Sequence, residues 1–327
     1  MPERSEVTQV AQLGIEVTKG TAVATTKILP SFSVITGIDG DSTKIEQAGN
    51  KFGTSYAPGK DYSTAKWTGQ PSHDELVYIL SSLCSFAAPT VVGTTGQSWT
   101  HTIAGTTEDT VKSYTVENGS AARAHKFAYG MFTELSLKGD RSKISADAVM
   151  MGQQTTDGIT LTASNTAVLQ VPLLPKEIDI SIDTTSAGLG TTKFARVLKW
   201  EFNIKNRYGM LWTVDSAVSS WATHIELPVD ATVKIMVEAD ATGMGLLADW
   251  RAGNKKFIRI KDTSTVNAGT AIPYSTTIDV CGALTGPPKE FSNVDGIYAI
   301  EFEFAAVYDS TWTKALTIGV VNKTASL

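Results

Sequence analysis

Glu301 and Glu303, two residues apart in the run GIYAIEFEFAAVYD, are the residues of this sequence closest to a catalytic pair. On an extended strand they project from one face about 7 Å apart, a separation at which two carboxyl groups can work as acid and base on a glycosidic bond. Sugar hydrolysis also needs a surface to stack the ring. Tyr298 and Phe302 alternate onto the opposite face, so the pair reads as part of a solvated strand face. The histidines, His73, His101, His125 and His224, are far apart, with no HExxH or HxH spacing and no CxxC to complete a metal site. His73, second in a helix-capping motif, reads as an exposed imidazole. Asp39 and Asp41 flank Gly40 as calcium ligands could, but Gly37 to Asp41 (GIDGD) reads as a hairpin turn after the alternating Phe32, Val34 and Thr36. No GxGxxG or GxxxxGK[ST] loop is present for a nucleotide. The residues therefore point to no catalytic group, no metal and no cofactor.

The elements that would carry such residues are mostly strands. The chain has 327 residues, 42% hydrophobic and 19% charged, with a net charge of −5. That length supports one large or two ordinary domains, and two is the expectation. Without a long basic run, binding to the outside of nucleic acid by phosphate neutralisation is disfavoured. Cys84 sits among leucines and Cys281 follows the strand-like TTIDV, so both read as buried thiols. No basic segment precedes an apolar run at the N-terminus, and no stretch nears ~18 consecutive apolar residues. The expectation is a soluble protein made without export, with no membrane insertion.

In the first half, Ser72 to Cys84 (SHDELVYILSSLC) is the one amphipathic helix. Ser72 and Glu75 form a capping box, and Leu76, Val77, Leu80, Leu83 and Cys84 make an apolar face. Strand-like runs follow at Gln97 to Ala104, Val111 to Glu117, Phe127 to Lys138 and Lys143 to Met151. Ala48 to Lys60 reads as an exposed loop before a strand at Tyr62 to Thr68. In the second half, Leu198, Trp200, Phe202 and Ile204 alternate with polar neighbours. A strand at Thr232 to Glu238 then leads to a short helix near Asp240 that Gly253 ends. Further runs are Phe257 to Lys261, Tyr274 to Val280, Ile297 to Val307 and Ala315 to Val321.

One offset relates the halves. The helix starts at Ser72 and Asp240 and the strands at Phe32 and Trp200 are 168 apart, and Glu134 and Glu301 are 167 apart. The phase also agrees, which a one-residue slip would have reversed. The reading is a structural duplication, with a first domain at 1–152, a linker at 153–175 and a second domain at 176–327. The polar strand faces then bear Glu134, Ser136, Glu201, Glu301 and Glu303.

The run GIEVTKGTAVATTKILP, followed by W-x-G-x-P-x-x-D-E-L-x-Y-I-L leading to THTI, resembles the N-terminal half of siphophage tail tube (major tail) proteins. The second half resembles the same family by strand order and by GIYAIEFEFAAVYD. The resemblance implies a mainly β fold: tandem β-sandwich, barrel-forming units, each with one short flanking helix. It implies a noncatalytic virion protein, made in the host cytoplasm, whose rings stack into a tube that conducts DNA without specific binding. Its partners would be itself, in rings of three pseudo-sixfold chains or of six, together with tape measure, tail terminator and tail tip proteins. The five residues Glu134, Ser136, Glu201, Glu301 and Glu303 would face the lumen. The competing reading is a two-domain carbohydrate-binding or adhesive module using exposed Trp67, Trp99, Trp212 and Trp221 as its platform.

Overall fold

The computed structural model describes residues 9–287 and 291–327, and the chain is mainly β. In the first half the strands are β1 (Val10–Ile15), β2 (Lys27–Ile28), β3 (Phe32–Ile45), β4 (Ser55–Gly69), β5 (Thr90–Val92), β6 (Gly96–Thr102), β7 (Tyr114–Ser120), β8 (Arg123–Asp140) and β9 (Ile144–Gly152), with helix α1 (His73–Leu83) between β4 and β5. Next come β10 (Thr156–Ile159), β11 (Thr166–Ala167) and β12 (Ile178–Asp183). The second half holds β13 (Val197–Lys205), β14 (Tyr208–Leu211), β15 (Thr223–Glu226), β16 (Asp230–Glu238), helix α2 (Ala241–Ala252), β17 (Lys255–Gly269), β18 (Ile272–Leu284), β19 (Phe291–Val294), β20 (Ile297–Ala306) and β21 (Leu316–Asn322).

The backbone ladders build one antiparallel run of eight strands in the order β3, β4, β9, β8, β13, β16, β20, β19. It is two four-stranded sheets joined edge to edge by the ladder between β8 and β13. In each half a first strand pairs with a second that feeds a helix, and the second also pairs with the last strand of a hairpin. A period-2 alternation runs through all eight strands. Val34, Trp67, Ala148, Leu135, Phe202, Val233 and Phe302 are buried on one face, and their sequence neighbours form the other.

The ladders correct two details of the sequence alignment between halves. Matching the helix starts puts Trp67 on Ile235. Their cross-strand partners then match Val34 with Trp200 and Ala148 with Phe302. The first strands are thus offset by two residues from the Phe32–Trp200 match, which leaves the faces unchanged. Glu134 and Glu301 are not counterparts, because β9 corresponds to β20 and β8 to β19. Alternation reports which face a residue occupies, and any two strands in phase look alike whatever their neighbours are.

The turn expected at Gly37 to Asp41 lies inside β3, where the register shifts between Gly40 and Ser42. The hairpin turn falls at residues 46–54 instead. Beyond the sheet, Asp39–Ile45 and Ser55–Tyr62 continue as a two-stranded ribbon, so the segment expected to be a loop is the hairpin turn as far as Thr54 and strand from Ser55 to Lys60. Gly, Asp and Ser tolerate turn geometry without requiring it. In the second half the same connection carries the short β14–β15 hairpin, which folds back. Its Trp221 is fully buried against Tyr129, and the indole N–H donates to Gly152 O at 3.0 Å.

Helix α1 is capped as the sequence indicates, with the Glu75 N–H donating to Ser72 Oγ at 3.3 Å. The Glu75 carboxylate does not return to the Ser72 N–H. It accepts from the Ser72 hydroxyl at 2.6 Å and from Ser31 N at 2.9 Å. Every residue of α1 is buried, His73, Asp74 and Glu75 included, which corrects both the amphipathic reading and the exposed His73. The apolar face packs toward β8 while the opposite side is covered by β6, β18 and β21. Helix α2 runs from its Asp240 cap, which accepts from Gly243 N at 2.8 Å, to Gly253 in the left-handed region at φ 67°. Only Gly243 and Leu246 of α2 are buried.

A second layer backs the sheet: β12, β17, β18, β21, β6 and β5 pair in that order. This sheet mixes strands of both halves, and a single apolar cluster runs through both. Residues 153–175 are built onto the first half. There β10 pairs with β8, β11 pairs in parallel with β2, and Thr162 N donates to the buried Glu117 carboxylate at 2.8 Å.

Candidate functional site

Glu134, Ser136, Glu201, Glu301 and Glu303 lie on the polar face of the eight-stranded sheet, on β8, β13 and β20. In the ladders Lys138 stands opposite Glu201, Glu201 opposite Lys234, and Lys234 opposite Glu303. Four adjacent strands therefore carry a row of charges that alternate in sign. Lys138 Nζ is 3.9 Å from Glu201 and 3.4 Å from Asp147, and Lys234 Nζ is 3.9 Å from Glu303. A neighbouring row places Thr68, Asp147, Ser136, Asn203 and Thr232 opposite one another in turn. Among the residues that the ladders pair on this face, eight carboxylates (Glu134, Asp140, Asp147, Glu201, Asp230, Glu238, Glu301, Glu303) stand against five lysines (Lys66, Lys138, Lys199, Lys205, Lys234), a balance of −3 for the paired positions alone. Pairs between opposite charges directly across strands contribute roughly 0.2–1 kcal/mol each, so they order the side chains more than they stabilise the fold.

The Glu301 and Glu303 pair has no catalytic surroundings. Glu301 is exposed, Glu303 is held by Lys234, and Tyr298 and Phe302 occupy the other face as expected. A hydroxyl, imidazole and carboxylate do converge elsewhere: His73 Nδ1 is 2.8 Å from Thr276 Oγ1, and Nε2 is 3.0 Å from an Asp262 carboxylate oxygen. The approach at Nε2 is close but without hydrogen-bond alignment. Nucleophilic catalysis needs a substrate at the hydroxyl, and here His73 has no exposure and Asp262 has 1%. The cluster ties the start of α1 to β17 and β18 from inside. Asp74 extends the tie, accepting from Thr324 Oγ1 at 3.0 Å and Lys323 N at 3.2 Å, while burial pushes its carboxyl above the usual range.

Among the described residues no group of three or more His, Cys, Asp or Glu side chains could hold a metal ion. Asp39 accepts from its neighbour Gly40 N and from the Tyr62 hydroxyl, both at 2.8 Å. Both cysteines are free and buried, and desolvation pushes the Cys84 thiol up to about 12 and Cys281 up to about 11. Of the four tryptophans that a sugar-binding platform would use, Trp67, Trp99 and Trp221 are fully buried and only Trp212 is exposed, at 42%. A cleft of about 700 Å³ lies over the β8–β13 junction and is bridged by Arg141 and Asp295 at 3.1 Å.

The feature that sequence reasoning missed is the pair of sheet edges. Among the described residues the ladders pair β3 only with β4 and β19 only with β20. At one end Phe291 of β19 (47%) and Tyr298 of β20 (61%) are exposed and stacked with ring centroids 4.7 Å apart, and at the other β3 exposes Ile35 (64%). The four-residue β19 lies next to a Pro-rich segment, and its short alternation is too weak a signal to find from sequence. No helix of the described residues is long and apolar enough to cross a membrane. Compared with known families and curated proteins, the chain matches no family and no relative.

Proposed function

We propose that this chain is the structural subunit of a long, non-contractile phage tail tube, a virion protein without catalytic activity. One observation carries the reading: two similar four-stranded sheets are already fused side by side through β8 and β13, with one continuous polar face and, among the described residues, an unpaired strand edge at each end. An antiparallel sheet with unpaired edges is a template for further pairing, and closure into a barrel removes the edges. Three chains close a pseudo-sixfold ring of 24 strands, which at a strand spacing of ~4.8 Å is at least ~37 Å across between backbones. Such a channel admits duplex DNA. The polar face, with Glu134, Ser136, Glu201, Glu301 and Glu303, lines it. Its excess of carboxylates repels phosphates over a Debye length of ~8 Å at physiological salt, and the interspersed lysines keep that field shallow, so DNA passes without being held.

The apolar tip of the β3–β4 ribbon, where Phe52 is 82% and Tyr56 67% exposed, suits contact between stacked rings. A tape measure protein in the lumen and terminator and tip proteins at the ends complete the assembly. The tryptophans that the carbohydrate-binding alternative needs are mostly core residues, which weighs against it. Electron microscopy of the purified chain tests the proposal. Stacked rings whose averaged cross-section shows three chains are expected; six chains each giving four strands to the barrel would refute the pseudo-sixfold ring, and dispersed monomers at high concentration would refute the tube.

A further inference from the structure

The internal junction specifies, residue by residue, how a second copy of this chain docks. We infer that the β19 edge of one copy pairs antiparallel with the β3 edge of another, with Val294 opposite Ser33, Asn293 opposite Val34, Ser292 opposite Ile35 and Phe291 opposite Thr36. This rests on the tube reading and adds the interface and its register.

The derivation uses the chain's own repeat. The cross-strand partners equate Val34 with Trp200 and Ala148 with Phe302. Because Leu137 pairs with Ala146 and Phe291 pairs with Ile300, Phe291 occupies the place of Leu137. At the internal junction Leu137 faces Phe202, Lys138 faces Glu201, Gly139 faces Trp200 and Asp140 faces Lys199. Carrying each residue to its counterpart gives the pairs above, with each residue on its proper face.

Three observations fit this register. Leu137 is 1% exposed where a neighbouring strand covers it, while its counterpart Phe291 is 47% exposed at an edge that no other described strand pairs. Side-chain sizes are complementary in both places: the large Trp200 lies over Gly139, whose added Cβ would meet the indole at 2.4 Å, whereas the smaller Val34 leaves room for Asn293. The backbone of β3 is also available. Val34 O accepts from Asn118 Nδ2 at 3.2 Å, and a carbonyl oxygen keeps a second lone pair for an incoming N–H.

Cysteine pairs in the full chain test the register. Directly opposite residues of an antiparallel pair have Cα atoms ~4.5–5.5 Å apart, within disulfide reach, and the diagonal two-residue slip brings them to ~7–8 Å, beyond it. Under mild oxidation, Ser33→Cys with Val294→Cys is expected to give cross-linked chains up to a closed trimer, at least tenfold more than Ile35→Cys with Val294→Cys. Ile35→Cys with Ser292→Cys is a second pair in the same register, should the first fold poorly. Cross-linking of only the slipped pair in intact tubes would overturn the register and leave the tube reading standing. Cross-linking of the in-register pairs without tubes would support the interface and overturn the tube. Tubes with no cross-link from either in-register pair would overturn the interface.

Discussion

His101 and His73 show two ways a fully buried imidazole is accommodated. On β6, His101 stacks parallel to Trp99 with centroids 6.2 Å apart, and neither ring nitrogen has a hydrogen-bond partner. Burial pushes its pKa from 6.5 down to about 4. The folded chain therefore binds fewer protons than the unfolded chain between these values. Its contribution to stability is intact above pH 6.5 and is lost progressively as the pH falls to 4, about 3 kcal/mol in all. His224, held down to about 4 by burial and then by Lys19, acts in the same sense, whereas Asp74 and Glu75, raised by burial, act in the opposite one. Comparing single variants isolates one group. His101→Phe keeps the stacking and is expected to gain about 2 kcal/mol more relative to wild type at pH 5 than at pH 8, read from urea midpoints. A gap independent of pH would contradict the assignment. His73 instead has a hydrogen-bond partner at Nδ1, the Thr276 hydroxyl at 2.8 Å, and the Asp262 carboxylate 3.0 Å from Nε2 without hydrogen-bond alignment. His73→Ala would leave the Thr276 hydroxyl buried without its partner and the Asp262 carboxylate without a polar neighbour, a loss of about 1–3 kcal/mol, and no change in urea unfolding would show that the contacts are incidental.

At the scale of elements, the seam between β8 and β13 depends on one size match. Trp200 lies across Gly139, with Nε1 only 2.4 Å and Cε2 2.5 Å from where a Cβ would stand, and the indole is 7% exposed. Gly139→Val must displace the indole from the core. It is expected to cost about 1–3 kcal/mol and to shift tryptophan emission to longer wavelength as Trp200 meets water. Unchanged emission and stability would mean that the seam relaxes freely. Helix α1 makes the complementary point, since its burial on all sides is completed by strands of the other half. The two halves therefore share a core even though their polar sheets repeat side by side.

For the whole molecule, under the proposed tube reading, the polar face is expected to decide how DNA is treated. The balance of −3 over its paired positions becomes +1 in the double variant Glu201→Lys, Glu303→Lys, because each reversal moves it by two. Tubes of this variant are expected to retain duplex DNA in a salt-dependent manner, where wild-type tubes release it, as measured by sedimentation of tubes with labelled DNA. Both reversals set like charges opposite Lys138 and Lys234, so a slight loss of stability, roughly 0.2–1 kcal/mol per pair, accompanies the change. Retention equal to wild type would remove the face from the lumen.

The sequence by itself determined what depends on local periodicity and local hydrogen bonding. Alternation assigned Glu134, Ser136, Glu201, Glu301 and Glu303 to strand faces away from the core, Ser72 and Asp240 marked the helix starts, and Gly253 marked a helix end. A period of two residues says which way a side chain points, and a cap involves only a few neighbouring positions. Tertiary structure alone decided which strands are neighbours: β9, not β8, corresponds to β20, the GIDGD segment continues a strand, and α1 is enclosed instead of lying on a surface. Those choices depend on contacts between residues far apart in the chain, chiefly the cover that β18 and β21 place over His73 and the fit of Trp200 on Gly139. Pairing energy there comes from packing across strands, and no local pattern encodes it.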